Sequence, residues 1–418
     1  VGNATSGDKG VRAKVFSSFL KKEGLSFFFS QGSTMDFEFS DDQRLLKDSV
    51  DKLIGQAYDD LGKRKKAQAE PHGYSEELWQ KYAELGLLAL PFSEEDGGFG
   101  GGPVETMIVM EAVGRGLALE PFFASIILGG NLVRLSADAG TRQALIPHIA
   151  DGSERLAFAH TEREARYDLH AVTTHARRTS AGYVLEGDKS VVLHGDSATK
   201  LIVSARTTGG HRDRHGITLF LIDPSTAGVS RRGFPTQDGQ RGAAVSLGSV
   251  EVPESAVLGT VDHGADLIDA VGAIAVAALC AEAVGAMAAL HELTLDYLKT
   301  RKQFGVPIGS FQVLQHRSVD MFTALEQARS MEYYAAMMAA SDNPRERHAA
   351  ISAAKIQINN SARFLGQAAI QMHGGIGITM EYKSGHYFKR LTMIESAFGD
   401  TEHHTRLLDR AGGLLEAA

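Results

Sequence analysis

The period of the hydrophobic pattern changes twice along the chain, and that order limits the fold more than any single residue does. From Asp36 apolar positions recur at helical spacing, with Phe39, Leu45, Leu46, Val50, Leu53 and Ile54 on one face and Lys and Asp on the other. A second helix over 76–85 ends at Gly86, the run from Gly97 to Gly102 breaks the helices, and further helices are predicted from Val104 to Leu117 and from Pro121 to the Leu145 region. Near Arg155 the spacing switches to strands at 156–159, 183–185, 200–203 and 217–222, separated by Gly182, Gly187-Asp188, Gly209-Gly210 and Asp223-Pro224. From about His263 helical spacing returns and persists almost to the end. Helical, then antiparallel β, then helical predicts an α+β chain with separate layers, with domains at 35–154, 155–262 and 263–418; it does not predict a doubly wound alternating sheet.

Size and composition agree with several packed units. At 418 residues the chain exceeds one ordinary core, and 43% hydrophobic with 22% charged residues is globular. A net charge of −8 gives no broad basic surface, so no nucleic-acid partner is expected. The single cysteine, Cys280, lies in an Ala-rich apolar run and reads as a small buried hydrophobe, which points to a reducing, cytoplasmic setting. The stretch Val271 to Leu290 is long enough to raise a membrane span, but it is Ala/Gly-rich and carries Glu282, so it is predicted to be a buried helix. Residues 1–34 lack an initiator Met and mix basic residues with Ser and Gly; they are read as an appended or upstream extension.

Three motifs rise above this background, each with a bland alternative. The Gly97 to Gly102 cluster has no preceding strand and no following Lys-Ser/Thr, so it reads as a turn between helices and not as a phosphate loop. Leu298-Lys-Thr-Arg301-Lys-Gln303-Phe304-Gly305 could place a guanidinium, an amide and an aromatic edge against a diphosphate beside a flat ring, or could be a helix capped by Gly305. Gln371-Met-His-Gly374-Gly375-Ile-Gly377 could offer bare backbone to a ligand, or could be a Schellman-type helix stop. His403-His404 are adjacent, without the i, i+4 spacing of metal ligands, and no metal site is expected.

Taken together and in this order, some seventy residues apart, the second and third motifs resemble the acyl-CoA dehydrogenase family. The resemblance runs from Met35 to the C-terminus, through LGLLALPFSEEDGGFGG, AFAHTE, GDKSVVLHG, RKQFG and QMHGGIG. It implies an N-terminal helical domain, a middle β domain and a C-terminal four-helix bundle. It also implies FAD held across a subunit interface, an acyl-CoA substrate, and reoxidation by an electron-transfer flavoprotein. A carboxylate would take the α proton of the thioester while the flavin receives hydride from the β carbon.

Carried over residue by residue, the half-site that reaches a neighbouring subunit's FAD is complete, in Arg301, Gln303, Phe304, Gln371, Gly374 and Gly375. The half-site for the flavin ring keeps Phe158 and Thr161, but Arg166-Tyr167 stand where Gly-Ser is usual, and Val191 and Leu193 replace a Trp-x-Thr. Leucine cannot donate a hydrogen bond. The usual glutamate position holds Phe398, and the alternative position on the first helix of the last domain holds Ala275. Glu395, Asp400 and Glu402 lie nearby, with Asp400 the weak candidate for an unconventional base. A donor half-site beside a degenerate acceptor half-site resembles the small subunit of the pimeloyl-CoA dehydrogenase type. That implies a large acyl-CoA dehydrogenase subunit as partner, a tetramer, and a dicarboxylyl or otherwise bulky acyl group. A self-sufficient flavoenzyme of the same fold and a flavin-free scaffold subunit are the alternatives.

Overall fold

The computed structural model describes residues 39–136 and 138–412; the extension expected over residues 1–34 lies outside them. The first helix among the described residues, α1 (Asp41–Ala57), starts at a capping box in which the Ser40 hydroxyl accepts from the Gln43 N–H and the Gln43 side chain accepts from the Ser40 N–H. Helices α2 (Leu61–Gln68), α3 (Glu76–Glu84) and α4 (Pro103–Gly116) follow, with proline at the first turn of α4, where its missing N–H costs nothing. A wholly buried π-helical segment, Phe123–Gly130, leads into α5 (Asn131–Ser136) and α6 (Ala139–Ala150).

The middle domain is one eight-stranded sheet, with β1 (Leu156–Ala159), β2 (His175–Thr179), β3 (Gly182–Leu193), β4 (Lys200–Arg206), β5 (Ile217–Ile222), β6 (Val229–Pro235), β7 (Arg241–Pro253) and β8 (Val257–Leu258). Its order is β6-β7-β3-β2-β4-β5-β8, with β1 also paired to β4. The sheet is antiparallel except at β4, which runs parallel to β1 (Leu156 opposite Lys200) and to β2 (His175 opposite Arg206). The β2–β3 hairpin supplies the long crossover that the parallel β1–β4 pair requires. Along β1 the pleat divides two cores: Leu156 and Phe158 join the core shared with the helices, while Ala157 and Ala159 join the core within the sheet.

The last domain is built on α7 (Gly264–Thr300), α8 (Gln312–Ala339), α9 (Pro344–His373) and α10 (Lys383–Ser396), which pack as a four-helix bundle, with α11 (Thr401–Arg410) against α9. Among the described residues α7 alone is long and apolar enough to cross a membrane, and 83% of its most apolar window is buried inside the protein. It is the central helix of the core. Where α4 crosses it, a Cβ on Gly114 would lie 1.9 Å from the Glu282 carbonyl oxygen and a Cβ on Gly285 would lie 1.9 Å from that of Glu111. Only glycine at both positions allows the two backbones to approach this closely.

The three domains meet at one buried ion network. Arg390 of α10 donates from Nε and Nη2 to the two carboxylate oxygens of Glu282 on α7, at 2.6 and 2.7 Å, and from Nη1 to Asp238 of the β domain at 2.7 Å. Arg64 of α2 donates to the Asp238 carbonyl at 2.7 Å and to the Leu117 carbonyl at 3.0 Å. Glu282, the residue that argues against a membrane span, is the bidentate partner that closes this junction.

Candidate active site

Helix α7 ends at Thr300, and the chain turns into a two-stranded hairpin, β9 (Lys302–Gln303) and β10 (Val306–Pro307). Phe304 and Gly305 are its two-residue turn, with φ of 55° and 83°. Two consecutive positive φ angles match the right-handed twist of a tight hairpin. Gly305 therefore serves a hairpin tip and not the helix cap that the sequence also allowed. The hairpin lifts Phe304 into solvent, 91% exposed and edge-on to Phe311 at 6.1 Å. Arg301 and Gln303 are exposed beside it.

Helix α9 ends at His373, and Gly374, at φ 63°, opens a 3-10 turn through Ile378. The backbone at Gly374 and Gly375 is bare: a Cβ on either would meet no atom within 4 Å. Gln371 is exposed on the preceding turn. The two motifs are tied together below the surface, where the His373 ring meets Tyr297 at a tilt of 35° with centroids 4.6 Å apart, four residues before Arg301. Tyr382 closes the same cluster, 5.1 Å from His373. No local pattern announces this clasp, because its partners come from three separate segments.

The residues expected to face the flavin ring lie at the end of β1. Phe158 is buried and stacks on His160 with centroids 4.9 Å apart and planes nearly parallel; Thr161 is exposed, and its carbonyl accepts from Ser190 N at 2.9 Å. Beneath them runs a buried polar chain that sequence reading missed. Lys189 donates to Glu162 at 2.7 Å and to Ser204 at 3.2 Å, and Ser204 lies 2.9 Å from His160 Nδ1. Burial opposes charge on Glu162, but Lys189 and the hydrogen bonds from Thr173 and Thr174 outweigh it and hold the carboxyl below its usual range. Burial holds the His160 imidazole down at about 3, so it is neutral. A register shift in β3 after Lys189 turns Val191 outward, 42% exposed, and Leu193 packs partly buried against the helical core.

The position of the usual base is filled by an aromatic ring. Phe398, at φ 56°, sits half-buried and edge-on to Phe123 of the π-helical segment, centroids 6.2 Å apart. Its carbonyl oxygen lies 3.1 Å from His404 Nε2, and His404 Nδ1 lies 3.1 Å from Ser352 Oγ. His404 thus pins the segment that carries Phe398. Ala275 is fully buried in the helical core. The nearby acids all have partners. Glu395 pairs with Arg363, and Glu402 with Arg406 at 2.5 Å. Asp400 caps α11 by accepting from His403 N at 2.8 Å, and its bonds to His403 and Tyr167 keep it below its usual range.

These residues fit one half of FAD well. Bare glycine backbone, an exposed amide at Gln371 and an exposed guanidinium at Arg301 suit a diphosphate and adenosine. The ring half lacks a side-chain donor at 193, and the acids nearest Phe398 among the described residues, Glu395, Asp400 and Glu402, are already engaged. When bound, the flavin would supply the hydride acceptor, and Arg301, Gln371 and the Gly374–Gly375 backbone are the groups on this chain that could hold its diphosphate half.

Family models for the N-terminal, middle and C-terminal domains of acyl-CoA dehydrogenase match residues 40–153, 157–251 and 265–413. The probable acyl-CoA dehydrogenase YngJ of Bacillus subtilis (strain 168) is 30% identical over 383 residues, covering 88% of this chain and 97% of that protein. Among solved structures, the FAD complex of PigA superposes with a TM-score of 0.82 at 27% identity, covering 91% of this chain and 100% of the other. A variant of the Tcur3481-Tcur3483 steroid ACAD does so with a TM-score of 0.78 at 25% identity, covering 88% and 97%. The sequence, the three-domain fold and the exposed half-site agree: the chain belongs to the acyl-CoA dehydrogenase family and uses FAD as its cofactor.

Proposed function

We propose that this chain is the small subunit of a heteromeric acyl-CoA dehydrogenase, lending its Arg301–Gln371 surface to the FAD of a larger partner that carries the base. The observation that carries the reading is the contrast between two sites on one chain. The donor surface is exposed and unobstructed at Gly374 and Gly375, whereas Phe398 and Ala275 leave the acceptor site without a carboxylate. The similarity to a steroid ACAD named for two paired components supports the same arrangement. The partner's carboxylate would remove the α proton of an acyl-CoA thioester, and an electron-transfer flavoprotein would take the electrons. An assembly of two small and two large chains in the cytoplasm completes the proposal.

The engagement of Asp400 in the α11 cap weighs against a self-sufficient enzyme, since a base held below its ordinary range is a poorer proton acceptor. Co-purification with a candidate large subunit tests the reading. Arg301→Ala in this chain is expected to strip FAD from the complex, and unchanged FAD content would overturn the role assigned to this surface.

A further inference from the structure

Away from the Arg301 and Gln371 motifs, the start of α4, α5, α7 and the end of α8 line a cavity of about 210 Å³. Its walls are nearly all apolar or glycine, with Pro103, Met107, Ile274 and Ala336 among them, and the polar exceptions are Thr106, Asn131 and Arg134. Arg134 is the one charged side chain in the lining.

The guanidinium is held in place without being neutralised. Its Nε and Nη2 donate to Asn131 Oδ1 at 3.0 and 2.8 Å. Asn131 is itself buried and oriented by the π-helical segment, donating from Nδ2 to the Ile126 and Ile127 carbonyls at 3.3 and 3.0 Å. Arg134 has no acidic partner among the described residues, and its Nη1 makes no hydrogen bond there. An arginine in a partly buried, mostly apolar wall attracts an anion more strongly than one in open water. Its planar fork matches a carboxylate. Arg134 is half-buried, and a neutral amide as its side-chain partner leaves its charge available to an anion entering the cavity.

We infer that this cavity is a binding site for a small aliphatic carboxylate, with the alkyl body against the alanine and methionine walls and the carboxylate on Arg134. The volume is below the roughly 300–1,000 Å³ that encloses a drug-sized ligand, so a whole CoA thioester does not fit inside. The carboxylate belongs either to a free short-chain acid or to the far end of an acyl chain whose CoA lies outside. Binding at Arg134 requires neither flavin nor a partner subunit, so it stands or falls apart from the shared-site reading.

Calorimetry on the purified full chain tests this with hexanoate against hexanamide, a neutral probe of the same shape. The wild type is expected to bind hexanoate about tenfold or more tightly than hexanamide, the worth of one charge-assisted hydrogen bond. Arg134→Gln should remove that preference and leave hexanamide binding unchanged, while Ala277→Leu, which fills the cavity, should weaken both probes. Circular dichroism confirms that each variant is folded. A further comparison of adipoyl-CoA with hexanoyl-CoA separates the sources: an Arg134-dependent preference for adipoyl-CoA assigns the carboxylate to an acyl tail, and no such preference, with hexanoate still bound, assigns it to a free acid. Equal binding of hexanoate and hexanamide, binding of neither, or hexanoate affinity unaffected by Arg134→Gln would overturn the inference.

Discussion

Phe398 meets Phe123 edge-on at 6.2 Å, so the loop that would bring a carboxylate to the flavin instead closes an aromatic contact between the last domain and the π-helical segment of the first. Edge-to-face pairs add about 0.5–1.5 kcal/mol beyond area burial. The ring therefore has a stabilising role in this chain, and under the proposed shared site the base is supplied by the partner.

Phe398→Ala is accordingly expected to cost stability and spare catalysis. Removing a half-buried ring should lower unfolding free energy by about 2 kcal/mol, below the range for a fully buried phenylalanine. Turnover of the assembled complex should stay within about twofold of wild type, less than 1 kcal/mol in barrier height. Denaturant titration and steady-state assay of the same preparation separate the two effects.

Arg390 holds two buried carboxylates from two domains, Glu282 and Asp238. Arg390→Met is expected to destabilise the chain by about 3–5 kcal/mol, because both carboxylates lose their charge partner inside the protein. Arg390→Lys should rescue little of this loss, since an ammonium cannot reproduce the bidentate contact with Glu282. Urea unfolding curves for the two variants check the difference.

The three most strongly depressed of the buried imidazoles limit acid stability. Burial holds His160 and His404 down at about 3 and His194 at about 4, against about 6.5 for an exposed histidine. Between those values the unfolded chain binds protons that the folded chain refuses. Stability from these groups is complete above about pH 6.5 and is lost as pH falls towards 3–4, at about 1.4 kcal/mol per pH unit for each histidine. His404→Asn should remove one histidine's share of the slope, while His160, His194 and the others that burial also lowers, His291, His373 and His386 among them, keep the rest, measured as unfolding free energy between about pH 5 and 7.

The three-layer order is legible in the sequence because hydrophobic period is a local signal, and Glu282 in an otherwise apolar run marks α7 as a core helix. What escapes a linear reading are relationships between distant segments. Nothing local announces that Tyr297 will pack against His373, that Arg390 will bridge Glu282 and Asp238, or that β1 will lie parallel to β4. The Arg301 motif stands out in the sequence, but its shape does not. A four-residue hairpin ladder is too short to show a period, so Gly305 looks like a helix cap until the positive φ of Phe304 reveals a two-residue turn. The adjacent His403-His404 lack the i, i+4 spacing of metal ligands, which does not say what His404 does, and its contact with the Phe398 carbonyl gives it a structural purpose.

The ratio of flavin to protein chains in the purified assembly tests the shared-site account most directly. With one complete site per pair of unlike chains, the account expects one FAD for every two chains, and a small subunit purified alone that retains little flavin and turns nothing over. One FAD per chain, with turnover by the isolated small subunit, would contradict it.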